Sequence, residues 1–149
     1  MKRTHSSTPV TIGLCALFVL GASSVLRGEG PCSYRSVEGD FGYTVVGARL
    51  PLGPADSVGW VHFDRQGNIT GTQTLSINGT IVQGEILTGT FVLNSDCTGS
   101  STIVVSNTPF PRTSTLDVVW VDDSNEFLGI FTNDGTILVV DGKRIRNGH

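Results

Sequence analysis

The chain has 149 residues, the size of a single domain, and its formal net charge is −3. A weakly acidic chain lacks the basic surface that nucleic acid or anionic lipid requires, so neither is expected as a partner. The 19 glycines and a charged fraction of only 15%, with abundant Thr, Ser and Val, favour short β-strands and tight turns over long helices.

Residues 1–24 have the three-part layout of a secretory signal peptide. Lys2 and Arg3 give a positive start, an apolar run follows, and small residues precede a cleavage site near Ser24. The alternative is a membrane anchor, but the apolar run is shorter than the ~20 residues that a span needs. We therefore predict a secreted or periplasmic mature protein without a membrane span.

Residues 25–38 read as an irregular leader, because they combine glycine, proline and several charges. Cys32 lies in this leader, and Cys97 is the second cysteine that remains once the signal peptide, with Cys15, is removed. Two cysteines in an oxidising compartment are expected to form a disulfide, with two free thiols as the alternative. The bond would close a loop of ~65 residues, worth about 4 kcal/mol in the chain-entropy model.

A β-domain is predicted over residues 39–146. Apolar and small polar residues alternate between turn signals such as Asn78-Gly79, and no segment in this range has a helical period. The predicted strands are 39–50, 57–63, 68–77, a fourth after Asn78-Gly79, then 98–107, 113–121, 126–132 and 136–145. The proline-rich stretch 51–54 predicts a loose loop between the first two strands.

The predicted third and fourth strands define an inner and an outer face. In the third strand, Thr and Ser at 70, 72, 74 and 76 form a hydroxyl face that we assign to solvent. Unbroken alternation in the fourth strand places Ile81, Gln83 and Glu85 on one face with Leu87 and Phe91.

Eight strands with hairpin spacing predict an all-β fold. A flat sheet would leave its apolar face and its edges in water, and closure into a barrel removes both problems. Sequential hairpins without a long crossover favour an eight-stranded antiparallel up-and-down barrel, with a β-sandwich as the alternative.

Three segments carry a family resemblance: GNITGTQT at 67–74, SING at 76–79 and TGTFVLNSDCTG at 88–99. They resemble a family of small exported bacterial proteins of unassigned function, and the similarity extends over residues 39–145. The architecture is similar to the allene oxide cyclase barrel and, more distantly, to lipocalins. This second likeness implies an enclosed apolar ligand or substrate, and it identifies no catalytic residue.

Glu85 is the main candidate for a functional role. On an inward face its desolvated carboxylate would have a raised pKa and would act as an acid or base, or bind a polar ligand group. The alternative is a position near the rim, where Glu85 reaches water. Gln73 shares the inner face and is expected to pair with it, and Phe91 is the third candidate ligand-binding residue.

The remaining polar candidates carry less chemistry. His62 is the only histidine within the predicted strands and is expected on the surface, while Asp117 is expected to face outward. One histidine does not make a metal cluster or a catalytic triad, so no metal site and no cofactor are predicted. Several aromatic residues are candidates either for a ligand cavity or for the core: Tyr43, Trp60, Trp120, Phe127 and Phe131.

Three functions are compatible with the sequence. The first is a binding module that holds a small apolar ligand inside the barrel. The second is a cyclase- or isomerase-type enzyme that uses Glu85 in the same cavity. The third is a structural or interaction protein of the cell envelope, with the barrel filled by its own side chains. The sequence does not choose an oligomeric state.

Overall fold

A computed structural model of the chain describes residues 31–146. The predicted signal peptide, residues 1–24, and the leader up to residue 30 lie outside the described residues. The described part has one short helix and eight strands: α1 Tyr34–Val37, β1 Gly39–Arg49, β2 Gly53–Phe63, β3 Asn68–Ile77, β4 Thr80–Leu93, β5 Thr98–Ser106, β6 Arg112–Val121, β7 Glu126–Phe131 and β8 Thr136–Arg144.

The eight strands form a closed barrel in which each strand pairs antiparallel with the next. β8 returns to pair with β1, with Phe41 opposite Arg144 and Arg49 opposite Thr136. Closure gives every strand two hydrogen-bonded neighbours, so none of the eight is an edge strand. The predicted up-and-down barrel is therefore confirmed, and the sandwich alternative is wrong.

The helix α1 lies across one end of the barrel. The Tyr34 ring packs on Phe91 with 5.2 Å between the ring centroids, and Val37 has no exposed surface. Arg144, at the end of β8, donates hydrogen bonds to two backbone carbonyls of the α1 region, those of Ser36 and Glu38. These contacts close this end of the barrel.

The predicted disulfide between Cys32 and Cys97 is confirmed, and it ties the segment before α1 to the turn between β4 and β5. Such a bond is typical of proteins that fold in an oxidising environment. The predicted irregular leader 25–38 is wrong for its last residues, because Ser33 and Ser36 cap α1 through reciprocal side-chain-to-backbone hydrogen bonds.

The connection between β1 and β2 is shorter than the predicted loose loop. β2 begins at Gly53, where it pairs with Arg49, so only residues 50–52 lie outside the two strands. Pro54 is the second residue of β2, close to the strand end where a missing N–H donor is tolerated. Its carbonyl still accepts a hydrogen bond from the backbone N–H of Asn78 (2.8 Å).

A β-bulge in β4 overturns the predicted face of its first half. Gln73 pairs with Glu85 and Leu75 with Val82, so β4 has one more residue than β3 in this interval. Gly84 takes up the extra residue at φ +69°, a conformation that glycine adopts without strain. Val82 therefore points inward together with Glu85, whereas Ile81 is 60% exposed.

The closed end of the barrel is filled by an aromatic cluster. Phe63 is its centre, with ring centroids 4.9 Å from Trp120, 5.1 Å from Phe91 and 5.5 Å from Phe127. Most of these pairs meet edge to face, the arrangement that aromatic quadrupoles favour. The predicted hydroxyl face of β3 does point outward at Thr70 and Thr72, while Ile69 and Leu75 are buried.

Candidate functional site

A cavity of about 70 Å³ occupies the interior of the barrel between the aromatic cluster and the end opposite α1. Arg49 and Phe131, which line it, lie at strand ends on that side and are partly exposed. We call this open end the mouth. Most of the lining is aliphatic or aromatic. Its polar members are Tyr43, Arg49, Ser57, Gln73, Ser101, Arg112 and Ser114.

A buried ion pair lies beside the cavity, toward the mouth. Arg112 begins β6 and contacts Glu85 through both terminal nitrogens, with Nη2–Oε2 2.8 Å and Nη1–Oε1 2.9 Å. The Thr108 hydroxyl donates to Oε1 (2.5 Å), and the Gln73 amide donates to Oε2 (2.6 Å). The Tyr43 hydroxyl in turn donates to the Gln73 carbonyl oxygen (2.7 Å). Each carboxylate oxygen therefore accepts two hydrogen bonds.

This environment decides the charge state of Glu85. Burial alone would raise the pKa of this carboxyl, but the hydrogen bonds from Arg112, Thr108 and Gln73 outweigh burial and hold the pKa below its ordinary value. Burial, together with the Glu85 charge, raises the pKa of the Tyr43 phenol. At neutral pH the cluster therefore contains an ionised carboxylate and a neutral phenol, and the raised pKa expected for a desolvated Glu85 is wrong.

Arg49 differs from Arg112 in its contacts with the described residues. Within residues 31–146 its guanidinium forms no side-chain hydrogen bond and no ion pair, although it lines the cavity. Burial, and then the neighbouring positive charge of Arg112, lower the pKa of Arg49. An arginine remains protonated at neutral pH even so, which leaves one uncompensated positive charge at the mouth.

The three predicted ligand-binding residues have different positions. Gln73 lines the cavity and pairs with Glu85, as their shared face predicted. Glu85 is fully buried and does not reach water at the rim, but it lies behind Gln73 and Arg112 and does not line the cavity. Phe91 belongs to the aromatic cluster at the closed end. Their roles in binding or catalysis remain predictions.

The other residues singled out in the sequence are mostly peripheral. His62 is on the outer surface, where its Nδ1 lies 2.8 Å from an Asp40 carboxylate oxygen, and Asp117 is exposed, as expected. Among the candidate aromatics, Tyr43, Phe127 and Phe131 line the cavity, whereas Trp60 is 43% exposed on the outside of β2.

The alternation pattern of the sequence also indicates inward positions for the two arginines, Arg49 and Arg112, which were not among the predicted site residues. Arg49 is an even number of residues from the inward Tyr43 and Val45 of the same strand, and Arg112 is four residues before the inward Leu116. Alternation alone therefore placed both guanidiniums inside the barrel. Thr108 carried no such signal, because it lies in the connection between β5 and β6.

Within residues 31–146 no group of three or more His, Cys, Asp or Glu side chains is arranged to hold a metal ion. No helix in the same range is long and apolar enough to cross a membrane.

The chain matches no protein-family model, no curated protein and no solved structure. The strand pairing establishes the barrel architecture. The resemblance to small exported bacterial proteins remains a prediction.

Proposed function

We propose that the protein binds a small, largely apolar molecule inside its barrel. The observation that carries this proposal is the cavity of about 70 Å³, with mostly aliphatic and aromatic walls and an opening opposite α1. Its walls are mostly apolar with a limited number of polar groups, and its two guanidiniums, those of Arg49 and Arg112, lie toward the mouth, which is the usual composition of a ligand pocket. The disulfide supports a site of action outside the cytoplasm, consistent with the predicted signal peptide.

The volume limits the ligand. Pockets for drug-sized ligands measure roughly 300–1,000 Å³, and an engineered apolar cavity of about 150 Å³ in another protein binds benzene. A cavity of about 70 Å³ therefore suits a body of a few non-hydrogen atoms, or one end of a longer molecule that protrudes from the mouth.

The cyclase or isomerase alternative has weaker support. An acid or base needs a pKa near the working pH and access to the reacting group. The Glu85 pKa is held low, both of its oxygens are occupied, and Gln73 and Arg112 separate it from the cavity. A role in holding Arg112 and Gln73 at the cavity wall fits these contacts better.

An interaction protein is the second candidate, and a separate observation favours it. The outer face of the sheet formed by β6, β7, β8 and β1 exposes a row of aliphatic side chains around a shallow groove. Contiguous apolar surface of this kind marks interaction sites in many soluble proteins. The exposed members are Val46, Val119, Leu128, Ile130 and Val139.

Binding of n-butanol, a neutral molecule of five non-hydrogen atoms, distinguishes the two candidates. We expect its addition to shift the methyl NMR signals of cavity residues such as Val105 and Leu75, and not those of Val58 on the outer face. Val105→Phe should fill the cavity and abolish the shifts, whereas Val104→Phe, on the exposed face of the same strand, should leave them unchanged.

Overpacking at Val105 costs typically about 1–3 kcal/mol, so the folded state of the variant is checked by its amide spectrum. Ser101→Leu is a second cavity-filling variant on the same strand. If butanol shifts only outer methyls, or shifts the cavity methyls equally in both Phe variants, binding inside the barrel is wrong and the interaction protein becomes the better proposal.

A further inference from the structure

We infer that the molecule bound in the barrel carries a carboxylate group, which Arg49 holds at the mouth while the apolar part occupies the cavity. This inference rests on the proposed function, since it needs a ligand inside the barrel. It adds the chemical class of that ligand: a small organic acid, or a longer acid whose carboxylate end lies at the mouth.

The charges that line the cavity favour an anion. Two guanidiniums, those of Arg49 and Arg112, belong to its wall, and no Asp or Glu does. The nearest carboxylate, Glu85, lies behind the wall, and its two oxygens are committed to Arg112, Thr108 and Gln73. Glu85 therefore compensates one of the two positive charges, and the charge of Arg49 is left for a ligand.

Acidic residues at the same end of the barrel do not take up this charge. Asp56 and Asp134 are exposed, neither lines the cavity, and neither forms an ion pair with Arg49. An Asp56 oxygen instead lies 3.3 Å from the backbone N–H of Gly47. A partly buried arginine without a carboxylate is an unfavourable arrangement, and a bound anion would make it favourable.

The geometry of arginine selects the kind of anion. The guanidinium presents its N–H groups as a planar fork that matches the two oxygens of a carboxylate. The wall beyond Arg49 is apolar, with Val45, Ala55 and Leu138 close by in the lining, and it suits an alkyl or aromatic body. A ligand with an amine at the same position would instead meet the uncompensated positive charge of Arg49.

Three probes of nearly equal size test the inference: butyrate, n-butanol and n-butylamine at pH 7. We expect butyrate to bind at least about tenfold more tightly than butanol, a difference of about 1.4 kcal/mol, and butylamine to bind more weakly than butanol. The dissociation constants are measured from the shifts of the cavity methyl signals in titrations of the purified protein.

Substitutions assign the preference to one residue. Arg49→Gln should remove the preference for butyrate and retain butanol binding, which also shows that the cavity is intact. Arg49→Lys keeps a positive charge and should retain part of the preference. The matched control is Arg65→Gln, which removes an exposed arginine that pairs with Glu38 at the closed end and should leave the preference unchanged.

The outcomes separate this inference from the proposed function. If butanol binds in the cavity and butyrate binds no more tightly, the inference that the ligand carries a carboxylate is wrong, and the proposed apolar binding site is retained. If the preference persists in Arg49→Gln, the assignment to Arg49 is overturned. If none of the three probes reaches the cavity, both the inference and the proposed function fail.

Discussion

At the scale of single residues, the side chain of Glu85 has one of the most demanding environments in the barrel. An ionised carboxylate without exposed surface is stable only when its oxygens are fully hydrogen-bonded and a positive charge is close. Arg112, Thr108 and Gln73 supply these partners. Since Gln73 and Arg112 also line the cavity, the same contacts that stabilise the carboxylate fix part of the cavity wall.

The first prediction concerns Arg112→Ala. Removal of the guanidinium leaves Glu85 charged and buried, and breaking a buried pair in this way costs about 3–5 kcal/mol. We expect the free energy of unfolding at pH 7, measured by urea denaturation, to fall by about this amount. The control is Arg65→Ala, in an ion pair with side chains 55% and 35% exposed, for which we expect a change of at most about 1 kcal/mol.

The effect of Arg112→Ala should depend on pH. In the unmodified protein the pKa of Glu85 is lowered in the folded state, so its contribution to stability is present above the unfolded-state pKa and is lost as the pH falls through the folded-state value. Without Arg112, burial raises the folded-state pKa, and protonation then removes the unpaired charge. The loss of stability should therefore shrink toward acid pH. A loss below about 1 kcal/mol at pH 7 would contradict the assigned role.

At the scale of secondary-structure elements, the bulge in β4 determines which side chains reach the interior. Without a bulge, regular alternation from Leu87 back to the start of the strand would place Gln83 and Ile81 inside. The extra residue reverses the phase, so Val82 packs against the core and Ile81 faces solvent. Asn107 supports the bulge by donating a side-chain hydrogen bond to the Gly84 carbonyl (3.0 Å).

The second prediction compares two glycines. At Gly84 a Cβ atom would meet open space, so Gly84→Ala costs only the left-handed backbone conformation, about 1–2 kcal/mol. At Gly71 in β3 a Cβ would lie 2.2 Å from the carbonyl oxygen of Trp60, so β2 and β3 must move apart. We expect Gly71→Ala to lower the thermal midpoint much more than Gly84→Ala. If Gly84→Ala lowered the thermal midpoint more than Gly71→Ala, the cost at the bulge would exceed backbone strain alone and would need another cause.

How much could be predicted from the sequence differs between these elements. Strict alternation predicted the two faces of β3 correctly, because its inner face is apolar except for Gln73 and its outer face carries hydroxyls. The same rule failed in the first half of β4, where a glycine inside the strand was the only sign of a bulge. The Glu85–Arg112 pair was not predicted, because its partners lie on β4 and β6 with β5 between them, and alternation along one strand does not say which inward side chains of other strands they meet.

At the scale of the whole molecule, closure itself depends on a contact that alternation does not encode. The hairpin spacing was compatible with a barrel and with a sandwich, and the pairing of β1 with β8 decides between them. The same closure creates two unlike ends. One is covered by α1, which the Cys32–Cys97 disulfide holds in place, and the other is the mouth with Arg49. A molecule that binds in the cavity, as proposed above, would therefore enter past Arg49.

The third prediction concerns β7, the shortest strand of the closed barrel. β7 has six residues, whereas β3 has ten and lies between strands of 11 and 14 residues. Fewer ladder hydrogen bonds hold β7, so it should open locally before the barrel unfolds globally. We expect the backbone amides of β7 to exchange with deuterium faster than those of β3 under native conditions, by openings that depend less on added urea.

Such an opening has a structural consequence for ligand entry. Phe127 and Phe131 of β7 line the cavity, and Phe131 lies on the side of the mouth, so detaching the Phe131 end of this strand would widen the mouth along the side of the barrel. A molecule larger than the static cavity would then have a route inside. If β7 amides instead exchange as slowly as those of β3, the barrel opens only as a unit, and the ligand is limited to what passes the mouth beside Arg49.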